Sequence, residues 1–255
     1  RMHADIAHGA GDFLQGAAIG YFTASASQPS QIAVSWHRAG AGIQLLSPPA
    51  PGGRTWSIER ISAFSQDEAL SAGDIDRDGR IDLLLGTWWL RNDASGFTRH
   101  RISDGESPPD RNRLADIDAD GRLDAVVGFE ATSKPGDVVW FRQGEDPPAP
   151  WERRHIATVV GPMSLDVADF DGDGDLDVVV GEHNLVDPAS ARLLLFLNAD
   201  GRGGRWTTEV LATGDEHHDG ALAVDIDDDG DIDVVSIGWG HPRVIWYENP
   251  KRGCR

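Results

Sequence analysis

Four short stretches of the chain carry aspartates at a spacing that suits a hard metal cation. They run from Asp74 to Asp82, Asp116 to Asp124, Asp169 to Asp177 and Asp225 to Asp233, and each reads D-x-D-x-D-G-x-φ-D, with φ an apolar residue. Carboxylates at alternate positions before a sharp glycine turn are a ligand arrangement that Ca²⁺ favours. The predicted ligands are Asp74, Asp76, Asp78, Asp82, Asp116, Asp118, Asp120, Asp124, Asp169, Asp171, Asp173, Asp177, Asp225, Asp227, Asp229 and Asp233.

The alternative for any one stretch is a solvated turn without metal, because Asp and Gly are ordinary turn residues. Four copies with the same spacing favour the metal, since aspartates packed this densely repel one another unless a cation offsets their charge. The sequence therefore predicts about four Ca²⁺ sites.

The same stretches account for the charge of the whole chain. The 255 residues include 42 Asp or Glu and 23 Lys or Arg, which gives a formal net charge of −19. The four stretches hold 19 Asp, so without these the chain has 23 acidic and 23 basic residues. An acidic surface excludes nucleic acid as a partner.

No apolar run approaches the roughly 18 residues of a membrane-spanning helix, so membrane insertion is not expected.

A second group of chemically capable residues lies in loops between predicted strands, where six of the nine His residues occur. The candidate catalytic residues are His183, His217, His218 and Asp219, and the candidate ligand-binding residues are Trp36, His37, Arg38, Glu130, Glu182, Asn184, Trp239 and His241. Imidazoles and a carboxylate could hold a transition metal or act as general acid and base. The alternative is an exposed polar loop without chemistry. The two Trp residues could stack on sugar rings or simply pack.

The elements that must position these residues are short strands. Each Asp stretch follows one strand and precedes a β-branched or leucine-rich run, and two further strands with large apolar or aromatic residues complete the repeat. Four strands per repeat without helical periodicity indicate an all-β propeller. We expect one domain over residues 1–255 with five four-stranded antiparallel blades, at about 16–61, 69–102, 112–156, 163–211 and 220–249, the last completed by the N-terminal strand in 1–9. Arg113 and Asp166 lie three residues before their Asp stretches, which predicts an ion pair between neighbouring blades.

The repeated strand, the D-x-D-x-D-G loop and the apolar run that ends in Gly, as in Val178-Val179-Val180-Gly181, resemble FG-GAP or VCBS-type propeller repeats. These repeats occur in integrin alpha chains and many secreted bacterial proteins. The resemblance implies calcium on the loops that join the first and second strands of each blade. It also implies a ligand-binding face at the opposite ends of the strands and an extracellular or periplasmic location.

Three functions are compatible with these features. The first is a calcium-stabilised secreted propeller that binds a ligand, most plainly a carbohydrate, on the face opposite the calcium loops. The second is a sugar or polysaccharide lyase or dehydratase, metal-assisted or not, that uses the His-rich loops. The third is a protein-binding adhesion module. The sequence does not choose between an enzyme and a binding domain, and it gives no oligomeric state.

Overall fold

The computed structural model describes residues 5–6, 14–22, 30–36, 41–49, 53–66, 69–93 and 95–249. In these ranges the regular structure consists of twenty β-strands and one 3₁₀ turn, Pro188–Ser190, and the strands form five sheets. The predicted all-β propeller fold with five antiparallel blades is confirmed. None of the helical structure described here is long and apolar enough to cross a membrane.

The blades follow one another along the chain. Blade 1 contains β1 (Asp5–Ile6), β2 (Leu14–Gly20), β3 (Gln31–Trp36), β4 (Ile43–Ser47) and β5 (Thr55–Ser62). Blade 2 contains β6 (Ser71–Gly73), β7 (Asp82–Leu84), β8 (Trp88–Asn92) and β9 (Phe97–Arg101). Blade 3 contains β10 (Pro109–Ala115), β11 (Asp124–Phe129), β12 (Pro135–Arg142) and β13 (Glu152–Val160). Blade 4 contains β14 (Pro162–Ala168), β15 (Asp177–Glu182), β16 (Arg192–Asn198) and β17 (Trp206–Thr213), and blade 5 contains β18 (Gly220–Val224), β19 (Asp233–Ile237) and β20 (Val244–Tyr247).

The N-terminal strand differs from the prediction. We expected it to complete the last blade beside β20, but β1 pairs in parallel with β5 of blade 1, with Asp5 opposite Thr55. Blade 5 has three strands in the described part of the chain. β5 and β20 are each the last consecutive strand of their blade, and each can pair with a further strand through backbone N–H and C=O groups. The apolar pattern of a short N-terminal segment therefore does not decide which of the two strands it joins.

The chain divides into two compact units, residues 1–109 with 144–151 and residues 110–143 with 152–255. The core of the first unit is an apolar cluster that includes Ile43, Leu45, Leu83 and Leu90. Every blade with a candidate catalytic residue belongs to the second unit.

In the second unit β15 is buried on both faces. Val178 and Val180 belong to a cluster with Trp140, whereas Val179 belongs to a cluster with Val234. Because successive side chains of a strand point to opposite faces, a strand packed on both sides needs a continuous apolar run. This packing fixes the two ends of β15, where Asp177 begins the strand and Glu182 ends it.

Candidate functional site

Each of the four Asp stretches forms a loop between the first and second strands of its blade. In every loop three carboxylates offer oxygens that lie within 4.8 Å of one another. The groups are Asp74, Asp76 and Asp78; Asp116, Asp118 and Asp124; Asp169, Asp171 and Asp177; and Asp225, Asp227 and Asp229. Of the predicted ligands, Asp82, Asp120, Asp173 and Asp233 lie outside these groups.

The glycine at position 6 shapes each loop. Gly121 has φ +83° and Gly174 has φ +97°, in the left-handed region that favours glycine, and an added Cβ at either would meet nothing within 4 Å. The N–H of Gly121 donates to Asp116 Oδ2 at 2.8 Å, and the N–H of Gly174 donates to Asp169 Oδ2 at 3.0 Å. The motif therefore needs glycine for its backbone conformation, which turns the loop back onto its first carboxylate.

The aspartate at position 9 ties each loop to the sheet. In blade 3 the carboxylate of Asp124 accepts the N–H of Ile117 at 3.1 Å and the N–H of Gln143 at 2.9 Å. The pKa of Asp124 is raised to about 7, mainly by burial, and the negative charge of nearby Asp118 raises it further. A cation beside this carboxylate would favour its charged form.

The donor set of these loops fits a hard cation. The side chain of Asp118 is only 9% exposed, and its Oδ1 has no hydrogen-bond partner in the described structure. A buried carboxylate oxygen without a partner is costly, and Asp116 and Asp124 bring further oxygens to the same place. All the ligands are carboxylates, which suit Ca²⁺ better than a softer transition metal.

The histidine cluster lies at the other ends of the strands in blades 4 and 5. His183 follows β15, residues 216–219 connect β17 to β18, and His241 lies between β19 and β20. His183, Glu216, His217 and His218 are all buried. The candidate loops of blades 4 and 5 therefore come together within one compact unit.

Glu216 is the central acceptor of this cluster. Its Oε1 accepts a hydrogen bond from His183 Nδ1 and the N–H of His218 at 2.8 Å, and its Oε2 accepts the N–H of Gly240 at 2.9 Å. The His241 ring is fixed nearby, with Nε2 3.0 Å from the Glu216 carbonyl oxygen. Burial alone would raise the pKa of Glu216, but the hydrogen bonds outweigh it, and the pKa falls to about 2. Glu216 is therefore ionised at neutral pH.

A second imidazole and carboxylate lie directly beside this pair. His218 Nδ1 is 2.7 Å from Asp219 Oδ1, and the rings of His183 and His218 lie 4.3 Å apart. Burial lowers the pKa of His218, but the Asp219 carboxylate outweighs this effect, so the net shift is upward. The NH2 group of Arg111 lies 3.6 Å from the same oxygen, Asp219 Oδ1. His183 is hydrogen-bonded to a carboxylate through Nδ1, and His218 Nδ1 lies at ion-pair distance from another, so the Nε2 atoms of both rings are the groups that can exchange protons.

Trp239 forms the exposed border of the cluster. Its side chain is 68% exposed, and its ring meets the His218 ring edge-on at 5.7 Å. A large indole that stays open to solvent beside buried charged groups is unusual for a Trp that serves only packing.

His217 has a different environment from the other candidate catalytic residues. It is 0% exposed, its Nδ1 lies 2.7 Å from Ser236 Oγ, and burial lowers its pKa to about 4. Gly181 makes room for it, because a Cβ there would lie 2.4 Å from His217 Cβ. Burial and the lowered pKa therefore make His217 a neutral packed residue.

Glu182 is also engaged in the fold rather than in the cluster. Its Oε2 accepts the Arg192 Nε–H at 2.9 Å and the Arg192 backbone N–H at 3.0 Å, and its Oε1 accepts the Val160 N–H at 3.0 Å. Asn184 donates to Ser190 Oγ at 3.1 Å, and Glu130 is exposed.

The predicted ion pair between blades 3 and 4 is confirmed, with Arg113 Nε 2.6 Å from Asp166 Oδ1.

The remaining candidates are Trp36, His37 and Arg38. Trp36 belongs to the other compact unit, where its Nε1 donates to Gln44 Oε1 at 3.0 Å. His37 and Arg38 lie outside the described residues. Among the residues described, the metal-ligand groups are the four Asp sets, and none of them contains His183, His217 or His218.

Glu216 and Arg111 are not among the site residues predicted from the sequence. Glu216 could have been found, since it is a carboxylate directly before two histidines in a loop that interrupts the repeat. Arg111 lies in β10 of blade 3, and nothing in its local sequence connects it with Asp219.

Comparison with known proteins supports the repeat assignment. A family model described as an FG-GAP-like repeat matches residues 116–180. No curated protein matches the chain. Among solved structures, the crystal structure of the V. cholerae biofilm matrix protein Bap1 is similar, with 16% identity and a TM-score of 0.41. The alignment covers 79% of this chain and 40% of Bap1, so the chain spans less than half the length of that protein. The match of residues 116–180 identifies an FG-GAP-like repeat that runs from the Asp loop of blade 3 to β15 of blade 4 in an all-β propeller fold.

Proposed function

We propose that this protein is a calcium-stabilised extracellular propeller that binds a carbohydrate at the ends of blades 4 and 5. The observation that carries the proposal is the exposed indole of Trp239 beside the charged cluster of His218 and Asp219. An open aromatic face next to a few fixed polar groups suits a ligand with an apolar ring face and many hydroxyls. Sugars have both features.

Calcium has a structural role in this proposal. The aspartates at positions 1, 3, 5 and 9 of the four loops would hold the ions, with the sets given above as the nearest donors. The bound cations would offset the repulsion between carboxylates and so stabilise the turns between the first and second strands. An extracellular location fits the proposal, because extracellular calcium modules work with weak sites that a high calcium concentration fills.

A binding screen tests the proposed function. Calcium-loaded protein is presented to an array of neutral and acidic oligosaccharides, and the hits are measured by titration calorimetry. We expect saturable binding of at least one sugar class, competed by the free monosaccharide. An array without binding, repeated at millimolar sugar in solution, would contradict the carbohydrate proposal.

A second candidate function is proton transfer on the bound sugar, which the two imidazoles with carboxylates beside them favour. In a β-elimination, His183 would accept the proton from the carbon beside a carboxyl or keto group. The electrons of that C–H bond form the C=C bond as the C–O bond breaks, and protonated His218 would give its proton to the leaving oxygen. The Glu216 and Asp219 carboxylates would hold the two rings in place and stabilise their protonated forms.

The elimination is tested by mixing the protein with uronic-acid and keto-sugar substrates and following the ultraviolet absorbance of an unsaturated product. We expect product with the native protein and at least a hundredfold slower formation with His183→Asn or His218→Asn. His155→Asn, at an exposed position on β13, is the control and should keep full activity. Sugar binding without any product would leave the protein a binding domain.

A further inference from the structure

We infer that the side of blade 5 turned away from blade 4 is an assembly surface, and that its occupant is blade 1 of a second copy of this chain. This surface, the far face of blade 5, comprises Ile226, Val235, Val244 and Trp246. Three of these side chains are 46–74% exposed in the described structure. Monomeric proteins rarely leave large apolar side chains grouped on one face open to solvent. The inference goes beyond the proposed sugar site and does not depend on it.

Strand alternation places these side chains on one side of the sheet. Val234 and Tyr247 pack towards blade 4, in the cluster that contains Val179. Because successive side chains of a strand point to opposite faces, the neighbouring Val235 and Trp246 point away from blade 4. These two residues are direct partners across β19 and β20.

A repeated hydrogen bond aligns the blades residue by residue. The second residue after the first strand donates its backbone N–H to the side chain that begins the second strand, at 3.0 to 3.4 Å. The pairs are Phe22 with Gln31, Ile117 with Asp124, Phe170 with Asp177 and Ile226 with Asp233. Blade 1 keeps this bond with glutamine in place of aspartate, so it follows the same register.

In blade 3 the residues equivalent to the far face form the contact with the next blade. They are Ile117, Val126, Val138 and Trp140, all at most 1% exposed. Their cluster includes Val178 of blade 4. Trp140 is the cross-strand partner of Val126, as Trp246 is of Val235, so the two tryptophans occupy one position of the repeat.

Blade 4 uses the same four positions against blade 5. They are Phe170, Val179, Leu193 and Leu195, all at most 6% exposed, and their cluster includes Val234 of blade 5. The far face of blade 5 therefore has the residues of a contact between blades, at the positions that make this contact twice before in the same compact unit. A surface with this pattern fits the side of another blade of the same repeat.

Blade 1 carries the complementary surface. In blade 4, Leu165 and Val167 lie on the side that receives blade 3. The register of the first and second strands places Ala17 and Ile19 at these positions in blade 1. Both are exposed, Ile19 to 68%. The chain thus has both halves of such an interface, and a second copy supplies the missing half.

Charge also favours blade 1 as the occupant. Residues 225–233, which include Ile226 of the far face, hold six Asp, whereas residues 21–30 of blade 1 include no charged residue. Blade 1 therefore brings no second acidic loop to this surface, and repulsion between carboxylates does not oppose the contact.

A contact between two unlike faces is heterologous, so each added copy leaves another far face open. The assembly should therefore grow with protein concentration until it closes into a ring or continues as a filament.

The test is sedimentation velocity of the purified protein, with Ca²⁺ present, over a range of concentrations. We expect the average mass to rise above that of one chain as the concentration increases. Val244→Glu on the far face and Ile19→Glu on blade 1 should each weaken association by about tenfold or more, because each buries a charge in the contact. Val210→Glu is the matched control, since Val210 is a strand valine that is 55% exposed and lies on β17 of blade 4.

A mixture of the two single variants identifies the occupant. Each variant keeps one intact face, so an equimolar mixture should form a complex of two chains and nothing larger, while melting curves check that both are folded. Native protein that stays at the mass of one chain at every concentration would overturn the inference, and so would equal effects of Val244→Glu and Val210→Glu. Native association without pairing in the mixture would overturn blade 1 as the occupant and indicate a symmetric contact between two far faces.

Discussion

The Nδ1 atom of His183, directly after β15, hydrogen-bonds to the carboxylate of Glu216 in the connection from blade 4 to blade 5. Both side chains are almost fully buried, at 5% and 1% exposure. The contact joins residues 33 positions apart and fixes one imidazole against the neighbouring His218 ring. The cluster is thus a preorganised arrangement of charge and not a solvated loop.

Replacement of Glu216 by Gln should destabilise the protein. The amide keeps the shape but loses the charge that accepts hydrogen bonds from His183 and the Gly240 N–H, and it places an NH₂ donor against one of them. We expect a loss of about 1–3 kcal/mol in the free energy of unfolding, measured by denaturant titration. Exposed Glu130→Gln is the control and should stay within about 0.5 kcal/mol of the native protein. Equal stability of the two variants would contradict the central role of Glu216.

The buried neutral His217 should make stability depend on pH. Its pKa falls from the ordinary 6.5 to about 4 in the folded state, so between these values the unfolded chain binds more protons than the folded one. Stability should therefore be retained above pH 6.5 and decrease as pH falls from 6.5 to 4, by on the order of 3 kcal/mol.

His217→Gln should remove this part of the acid sensitivity. Unfolding curves at closely spaced pH values measure the slope, and His155→Gln, at an exposed position, serves as the control. A native slope that persists in His217→Gln would show that another group titrates there.

The turn glycines of the Asp loops give a purely conformational prediction. Gly174→Ala places a side chain at φ +97° in open space, so only backbone strain opposes it. We expect a loss of about 1–2 kcal/mol in thermal or denaturant unfolding. Gly144 is the matched control, because it also has no atom within 4 Å of an added Cβ but does not have a positive φ. Gly144→Ala should be neutral or slightly stabilising, and a similar loss in both would rule out strain as the cause.

Removal of calcium should lower the melting temperature. Ligand that binds only the folded state stabilises it by mass action, so a chelator should shift the transition downwards and added Ca²⁺ should restore it. Differential scanning calorimetry with Mg²⁺ as the comparison ion measures the effect. An unchanged transition after exhaustive chelation would contradict a structural role for calcium.

The blades and loops were predictable because their signals are local and repeated. The D-x-D-x-D-G spacing and the apolar run of β15 recur along the chain, and strand burial follows directly from them. The partner of β1 was not predictable, since β5 and β20 offer the same backbone edge. The roles of Glu182 and His217 also depended on contacts with Arg192 and Ser236, which are set by packing rather than by spacing.

The most direct test of the binding site is the affinity for the best oligosaccharide of the native protein, Trp239→Ala and Trp246→Ala, all loaded with calcium. Trp246 is a suitable comparison, because it is 46% exposed and lies on β20 of the same blade. We expect at least a tenfold loss of affinity for Trp239→Ala and native affinity for Trp246→Ala. Unchanged binding in Trp239→Ala, or an equal loss in both variants, would contradict a carbohydrate site at the ends of blades 4 and 5.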